Sequence, residues 1–499
     1  MLGSDLVGLS LFFLLLFAII GLAELIRRMM GWTPEATRKS VHMATGLLVA
    51  TTPFVLQSKW PMVILGSLFV IVNSVAIHKQ LFKAMHATTR CSYGTVFYPL
   101  SFVILVLWLW DGNRIALVTA MLIMALADAL AAIVGENVRK PMLFSFGTEM
   151  KSVQGSVTMF GATAVIVFVF LSLFPFEGAA WIEGAARIWI ALLVAVFSTA
   201  CEAISTRGSD NLSVPLGAAF ILTYVHAHSA HDARIFTLGM VLALAVALGS
   251  YRIAFLDAGG AAFTFILGTL IFGVGRIGFT LPILAFYLLS SLLSLSGRRA
   301  KKRAFSLIEK GGRRDIWQVL ANGGVPGLLL LLWYFNPGEL FFLLYLGAVA
   351  AVTADTWGTE IGLLSRPDPR SILSLRRVPP GTSGGISLLG LAGSLLGSFV
   401  LISVGALVSP HAVGPHLFVL MVFAGFAAGL ADSLFGATIQ AQFRCPVCAK
   451  MTEKTTHCQG ARSTFVRGVR WINNDVVNFF CALCGTLFVY AGLVFLNSI

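Results

Sequence analysis

Apolar stretches of about 20 residues follow one another along nearly the whole chain, separated by short polar connectors. A stretch of this length lets an α-helix cross the hydrocarbon core of a bilayer. The pattern therefore predicts an all-α, polytopic membrane protein with about 14 to 16 transmembrane helices in two related halves. The predicted spans lie near residues 6–26, 41–57, 61–78, 94–110, 114–134, 156–174, 187–203, 213–226, 234–254, 260–275, 279–296, 316–335, 340–363, 385–408, 415–440 and 475–497.

The composition agrees with this pattern. Apolar residues make up 57% of the 499 residues and charged residues 11%, and the mean hydropathy is +0.87. These values exclude an ordinary soluble domain. The first apolar run lacks a basic segment before it and a small-residue cleavage site after it, so we expect a retained helix and not a signal peptide.

Positive charge is distributed unevenly between the connectors. Of the 35 Lys and Arg residues, alternating spans place 30 on one side of the membrane, because only Lys59, Arg114, Arg187, Arg234 and Arg276 fall on the other. The basic side is expected to be cytoplasmic. This distribution explains the net charge of +13 without a nucleic-acid partner. We expect a multi-pass protein of the bacterial inner membrane, or an equivalent bilayer, with its motif-bearing loops in the cytoplasm.

Carboxylates lie near the ends of several apolar runs, where they are costly unless they face a cavity, a partner or a cation. Asp128 and Glu202 occupy such positions in the first half, and Asp355, Glu360 and Asp432 do so in the second. Carboxylate oxygens are the ligands that Mg²⁺ prefers. We therefore predict Mg²⁺ sites at Asp128, Asp355 and Asp432.

The motifs occur in a similar order in both halves. An acid precedes a glycine-containing helix start by 27 residues in the first half (Asp128 to Gly155) and by 29 in the second (Asp355 to Gly384). A second acid follows the first after 74 and 77 residues respectively, and an Asn/Asp pair then opens a further helix. We interpret this order as an internal duplication, with domains at 1–232 and 233–499.

These residue types suit phosphoryl transfer. Carboxylates hold Mg²⁺, a lysine neutralises charge, and Gly with Ser or Thr at a helix start donates backbone N–H groups to phosphate. The predicted catalytic residues are Asp128, Lys151, Glu202, Asp355, Glu360 and Asp432. The predicted nucleotide- or phosphate-binding residues are Arg38, Lys39, His42, Ser152, Gly155, Ser156, Asp210, Asn211, Arg314, Asn322, Thr382, Ser383, Gly384, Gly385, Asn473, Asn474, Asp475 and Asn478. Taken singly, each also fits a structural role, such as an N-cap or a hydrogen-bonded buried acid.

Cysteine and histidine cluster in a polar insertion at about residues 441–472. Cys445 and Cys448 form a CxxC pair that is followed by His457 and Cys458, which gives four potential ligands for a structural Zn²⁺. A second CxxC is missing from this insertion, because Cys481 and Cys484 lie inside the last predicted helix. The alternative is a polar loop without metal.

Both halves resemble known families. The first half, with Arg38-Lys39 to His42, Asp128, Lys151-Ser152 to Gly155-Ser156 and Glu202 through Asp210-Asn211 to Pro215, resembles the CTP-dependent polyprenol kinases of the phytol and dolichol kinase family. The second half carries ANGG (321–324), ADTWGTE (354–360), PPGTSGGIS (379–387), LADSLFGA (430–437), CPVC (445–448), HC (457–458) and NNDVVN (473–478). It is similar to the family that includes the phytyl-phosphate kinases.

The resemblance implies two reactions in sequence. One half phosphorylates an isoprenoid alcohol of the phytol or geranylgeraniol class, and the other phosphorylates the resulting monophosphate to the diphosphate. CTP or another nucleoside triphosphate is the implied donor, with Mg²⁺, and the bilayer holds the hydrocarbon tail of the substrate.

Two other functions fit parts of the pattern. A membrane cytidylyltransferase uses the same nucleotide but releases pyrophosphate and leaves CMP on a lipid phosphate. A transporter with duplicated helices also carries intramembrane acids, although its site is expected near the midplane and not at one membrane face.

Overall fold

The computed structural model describes residues 2–79, 93–146, 149–176, 178–295, 313–409, 411–458 and 460–497. The chain divides into two compact units, Met1–Arg234 and Ile235–Ile499. The basic connector at 297–315 is predicted to be cytoplasmic, and most of it lies outside the described residues.

The first unit consists of helices and one short hairpin. Its helices are α1 (Leu2–Met30), α2 (Pro34–Val55), α3 (Trp60–His78), α4 (Gly94–Leu109), α5 (Arg114–Leu122), α6 (Ala129–Asn137), α7 (Val153–Leu173), α8 (Ala185–Ile204) and α9 (Asp210–Ala227). A π-helical turn, Ile123–Asp128, joins α5 to α6. Strands β1 (Leu143–Ser145) and β2 (Met150–Ser152) pair antiparallel before α7.

The second unit begins within α10 (Ala230–Arg252). It continues with α11 (Ala258–Val274), α12 (Arg276–Leu295), α13 (Ile316–Phe335), α14 (Glu339–Gly362), α15 (Leu388–Val408), α16 (Pro415–Thr438) and α17 (Asn474–Asn497). The antiparallel pair β3 (Arg370–Ser371) and β4 (Gly385–Ile386) precedes α15. Between α16 and α17 lie β5 (Gln442–Arg444), β6 (Met451–Thr452), β7 (Thr456–His457), β8 (Ala461–Arg462) and β9 (Thr464–Arg467), paired as β6-β5-β9 and β7-β8.

The prediction of an all-α polytopic membrane protein is confirmed. Each predicted apolar run overlaps a helix, and 12 helices in the described residues are long and apolar enough to cross a membrane. Gly94–Leu109 and Ala258–Val274 are apolar but shorter. The runs in α2 and α9 begin with polar residues, Arg38-Lys39-Ser40 and Asp210-Asn211, which lower their hydropathy.

One largely buried helix lies at the centre of each unit. In the first unit it is the span Arg114–Asn137, in which 67% of the most apolar 18 residues are buried. In the second unit it is Glu339–Gly362, for which the share is 72%. Most other spans leave large apolar side chains exposed, as lipid-facing helices do. Asp128 and Asp355, the first acid of the repeated motif order in each half, both lie on these central helices.

Glycine permits the close packing of the second central helix. A Cβ on Gly347 of α14 would lie 2.8 Å from the carbonyl oxygen of Gly485 on α17, and one on Gly485 would lie 2.4 Å from that of Gly347. Such small-residue contacts let membrane helices approach through their backbones. The acid-bearing helix is therefore surrounded by protein and not by lipid.

Candidate functional site

A buried ion pair forms the centre of the first-unit site. Lys151 Nζ donates to Glu202 Oε1 at 2.5 Å and to the Glu202 carbonyl oxygen at 2.6 Å. It also lies 3.9 Å from Asp210 Oδ2. Burial opposes the charge of Lys151, but Glu202 and Asp210 outweigh it and raise the pKa of this lysine above its usual value. The charge of Lys151, in β2, thus lies between one acid at the end of α8 and another at the start of α9.

Asp128 faces this ion pair from the central helix. Its carboxylate interacts electrostatically with Asp210, Glu202 and Lys151. Within the described residues it accepts no hydrogen bond. Asp128 closes the π-helical turn, and single π turns inside α-helices are frequent at functional sites.

The start of α2 contributes basic and aromatic groups. Arg38 is exposed and interacts electrostatically with Asp128 and His42. His42 packs edge-on against Tyr98, with the ring centroids 5.0 Å apart. Lys39 is buried and forms a salt bridge with Glu136 on α6. The structure therefore brings Arg38 and His42 to the Asp128 cluster, whereas Lys39 pairs with Glu136, which was not among the predicted site residues.

Ser152 acts as the N-cap of α7. Its Oγ accepts the backbone N–H of Gly155 at 3.2 Å, so the predicted phosphate donor Gly155 is already hydrogen-bonded in this conformation. A Cβ on Gly155 would lie 3.1 Å from the Ala131 carbonyl oxygen, which shows how closely α7 approaches α6. Ser156 Oγ is buried and has no hydrogen-bond partner within the described residues. Of this segment, Ser156 keeps a free polar atom, whereas Ser152 and Gly155 form a helix cap.

Asp210 and Asn211 are the first two residues of α9, at the start of a helix as predicted. Asp210 Oδ1 accepts the backbone N–H and the Nδ2 of Asn211, each at 3.0 Å. One oxygen of Asp210 therefore holds the helix start, while the other faces Lys151.

Two acids meet in the second unit. The carboxyl groups of Asp355 on α14 and Asp432 on α16 lie within hydrogen-bonding reach of each other. Two carboxylates can share a hydrogen bond only through a proton, and a divalent cation held by both would replace that proton. Asp432 Oδ1 is buried and has no hydrogen-bond partner within the described residues. In the first unit, Glu202 Oε2 is likewise buried and has no hydrogen-bond partner within the described residues.

The glycine-rich segment beside this pair, residues 379–385, differs from the prediction. The predicted helix start at Gly385 is wrong, because Gly385 begins β4 and donates its N–H to the Thr382 carbonyl oxygen at 2.9 Å. Gly384 has a φ of +75°, and a Cβ there would lie 2.4 Å from the Cβ of Ala437. The helix begins only at Leu388, after Ser387 caps it by accepting the N–H of Gly390 at 3.1 Å.

Glu360 lies away from the Asp355–Asp432 pair. Five residues along an α-helix correspond to a rotation of about 140°, so Glu360 points to a different neighbour from Asp355. It accepts a hydrogen bond from Ser294 Oγ at 2.5 Å and interacts electrostatically with Arg314. Burial lowers the pKa of Arg314, an effect that Tyr287 and Glu360 oppose. The structure thus places Glu360, a predicted catalytic residue, beside Arg314, a predicted phosphate-binding residue, and not beside Asp355 and Asp432.

The predicted asparagines lie on or near α13 and α17. Asn473 Oδ1 accepts the N–H of Val476 at 3.1 Å and caps α17, whose first residues are Asn474 and the buried Asp475. Asn322 and Asn478 lie within α13 and α17 and are half-buried. For Asn473 the structure shows the helix-capping role.

The four predicted zinc ligands converge. Ligand atoms of Cys445, Cys448, His457 and Cys458 all lie within 4.8 Å of one another. His457 Nδ1 is 3.1 Å from the Cys458 sulfur and 3.5 Å from that of Cys448. Backbone N–H groups of Cys448 and Val447 point at the Cys445 sulfur and lower the pKa of that thiol to about 6. The cluster matches the ligand types and spacing of a tetrahedral zinc knuckle.

Sequence reasoning missed Glu453, which lies between the two ligand pairs. Its Oε1 accepts a hydrogen bond from Ser383 Oγ at 2.6 Å, and its charge acts on Asp432. An isolated acidic residue in a polar insertion has no sequence pattern that predicts such a contact.

The family of integral membrane proteins DUF92 matches residues 241–486. The chain is 31% identical over 264 residues to Protein PGR of Arabidopsis thaliana, an alignment that covers 48% of this chain and 90% of that protein. It is 33% identical over 206 residues to a phytol kinase of Synechocystis, covering 41% of this chain and 85% of that protein.

The chain belongs to the DUF92 family of integral membrane proteins. It is also related to Protein VTE6 of Arabidopsis thaliana, at 29% identity over 230 residues, or 45% of this chain and 61% of that protein. No solved structure matches the chain. The relatives confirm the resemblance to a phytol kinase. The DUF92 match includes the Asp355–Asp432 pair, the glycine-rich segment and the Cys/His cluster.

Proposed function

We propose that this protein phosphorylates an isoprenoid alcohol of the phytol or geranylgeraniol class to its monophosphate and then to its diphosphate. The proposed phosphate donor is a nucleoside triphosphate, with CTP as the first candidate, and the reaction would use Mg²⁺. The observation that carries this proposal is the presence of one buried acid cluster in each unit, each with a carboxylate oxygen that lacks a hydrogen-bond partner within the described residues. Such an oxygen is costly unless a cation binds there.

In the first unit, Asp128 and Glu202 would hold Mg²⁺, and the ion would supply neutralisation of phosphate charge. Lys151 is already fixed by two hydrogen bonds, so it presents its charge to a transferring phosphoryl group without further ordering. Arg38, exposed at the start of α2, would bind the outer phosphates. In the second unit, Asp355 and Asp432 would take the place of Asp128 and Glu202.

Similar elements surround each cluster and support the proposed duplication. In each unit, a buried central helix carries the first acid of the motif order. After a two-stranded hairpin, a serine caps the next helix by accepting the backbone N–H of a glycine three residues further on. Ser152 and Gly155 fill these positions in the first unit, and Ser387 and Gly390 fill them in the second. The structural counterpart of Gly155 is therefore Gly390, six residues after the predicted Gly384.

Product analysis tests the proposal. The purified protein would be incubated with Mg²⁺, with each nucleotide labelled either at the α- or at the γ-phosphate, and with either a prenol or its monophosphate. A kinase transfers only the γ-label to the lipid, in two successive products. A cytidylyltransferase would transfer the α-label, and a transporter would transfer neither.

An apolar groove suits the hydrocarbon tail of the alcohol. It has a volume of about 310 Å³ and is lined by Met43, Leu126, Leu130, Gly161, Ala162, Val165 and Ile166. This is about twice the size of an engineered cavity that binds benzene. Leu126 and Leu130 lie on either side of Asp128 along the central helix, so the groove adjoins the segment that carries the carboxylate.

Filling the groove is expected to change chain-length preference. A Cβ on Gly161 meets no atom within 4 Å, so Gly161→Phe introduces a ring without a backbone clash. We expect it to lower kcat/KM for geranylgeraniol about tenfold and to leave short-chain prenol unaffected, as measured by phosphorylation of both alcohols. Val169→Phe, at an exposed position outside the groove on the same helix, serves as the control. Equal loss for both alcohols would contradict this assignment.

The proposed orientation places residues 364–382 in the cytoplasm. Cysteine replacing the exposed Asp368 should react with an impermeant thiol reagent only after lysis. Cysteine replacing Asn336, in the exposed connector between α13 and α14, should react in intact cells. The reverse pattern would overturn the orientation of this half.

A further inference from the structure

The Cys/His insertion holds one acidic residue between its two ligand pairs. Cys445 and Cys448 lie at the turn from β5 to β6, and His457 and Cys458 at the turn from β7 to β8. Glu453 is five residues beyond Cys448 and four before His457. A metal ion bound by all four ligands would therefore fix both ends of the segment that carries Glu453.

The ligand geometry fits Zn²⁺. Tetrahedral ligands on zinc lie about 3.5 to 4 Å apart, and the four atoms here are already within 4.8 Å of one another. Ala449 and Cys458 adopt positive φ values, 57° and 40°, which turn the chain sharply beside the ligands. The strained backbone is consistent with a turn that a bound ion holds together.

Glu453 connects this insertion to the acid pair. Its Oε1 accepts the hydroxyl of Ser383 at 2.6 Å, in the middle of the glycine-rich segment 379–385. The next residue, Gly384, is pressed against α16, where its missing Cβ would also lie 2.8 Å from the Ser433 carbonyl oxygen. Ser433 directly follows Asp432. The hydrogen bond from Ser383 thus holds the segment beside the carboxylates.

We propose that Zn²⁺ bound by Cys445, Cys448, His457 and Cys458 positions Glu453, which in turn holds the segment 379–385 against α16 beside the Asp355–Asp432 pair. Glu453 is then a positioning residue for the second phosphorylation, and zinc is required for that step and not for the first. This inference rests on the function proposed for the second unit.

Three substitutions test the hydrogen bond. Glu453→Ala and Ser383→Ala each remove it, and we expect both to slow conversion of isoprenyl monophosphate to diphosphate about tenfold, because the hydrogen bond that holds the segment is lost. Glu453→Gln keeps an acceptor oxygen and removes only the charge, so it should retain most of the rate. If Glu453→Ala is as active as the unmodified protein, Glu453 does not position the segment.

Metal analysis tests the zinc ion separately. The purified protein should contain about one zinc per chain, Cys445→Ser should lose it, and Cys484→Ser, in α17 outside the cluster, should keep it. Glu453→Ala should also keep its zinc, which separates loss of the hydrogen bond from loss of the metal. A well-folded preparation without zinc would overturn the proposal.

The first step provides the internal control. Cys445→Ser should still phosphorylate the alcohol and should accumulate the monophosphate. If Cys445→Ser loses zinc and still makes diphosphate at the normal rate, the link between zinc and the second step is wrong. If the unmodified protein makes no diphosphate at all, the proposed function of the second unit fails instead.

Discussion

Asp355→Asn is expected to slow the second phosphorylation about a thousandfold and to make the isoprenyl monophosphate accumulate. The substitution keeps the size of the side chain but removes the charge that would hold Mg²⁺ against Asp432. Its neighbour could then hydrogen-bond to the amide, so the fold should survive while the cation contact is lost. Chromatography of the labelled lipids measures monophosphate and diphosphate in one assay.

Glu339→Gln is the matched control for this experiment. It removes a carboxylate from the exposed first residue of the same helix, α14, far from Asp432. It should leave both steps unchanged. If Asp355→Asn and Glu339→Gln gave the same product ratio, Asp355 would have no role in the second step.

Asp128→Asn is expected to abolish use of the free alcohol while added isoprenyl monophosphate remains a good substrate. Asp128 accepts no hydrogen bond within the described residues, so the amide breaks no contact that supports the fold. The loss should again be about a thousandfold, because a carboxylate that would hold Mg²⁺ is removed. The readout is alcohol phosphorylation measured beside monophosphate phosphorylation in the same preparation.

Asp111→Asn provides the control in the first unit. Asp111 pairs with Lys59 at 2.5 Å near the start of the central span and has an exposed side chain, so its contribution is expected to be small. If Asp128→Asn blocked both phosphorylations equally, the two-site proposal would give way to a single composite site.

The helices were predictable because their signal is local. Runs of apolar residues long enough to cross a bilayer specify helices whatever their neighbours, and every predicted run overlaps a helix. The starts of helices were less predictable. At residues 381–387, glycines and serine suit a phosphate-binding turn and a capped helix equally well, and only the contact of Gly384 with α16 decides between them.

The assembly of the sites depended on contacts that spacing does not encode. Asp355 and Glu360 both lie near the end of the same apolar run, but they point to different sides of the helix. Asp355 contacts Asp432, whereas Glu360 contacts Ser294. Glu453 reaches Ser383 across 70 residues of chain through the folded insertion. By contrast, the cluster of Cys445, Cys448, His457 and Cys458 was predictable, because its ligands are close in sequence.

The π-helical turn before Asp128 shifts the register of the central span. A π turn takes more residues than an α turn, so residues on its two sides are offset around the helix axis compared with an uninterrupted α-helix. The half before the turn, α5, packs against α2 and α9, while the half after it, α6, packs mainly against α7. Deleting one residue within the turn would restore a continuous α-helix and rotate α6 by about 100° relative to α5. The length of this turn, and not only the identity of Asp128, would then determine which neighbours the carboxylate faces.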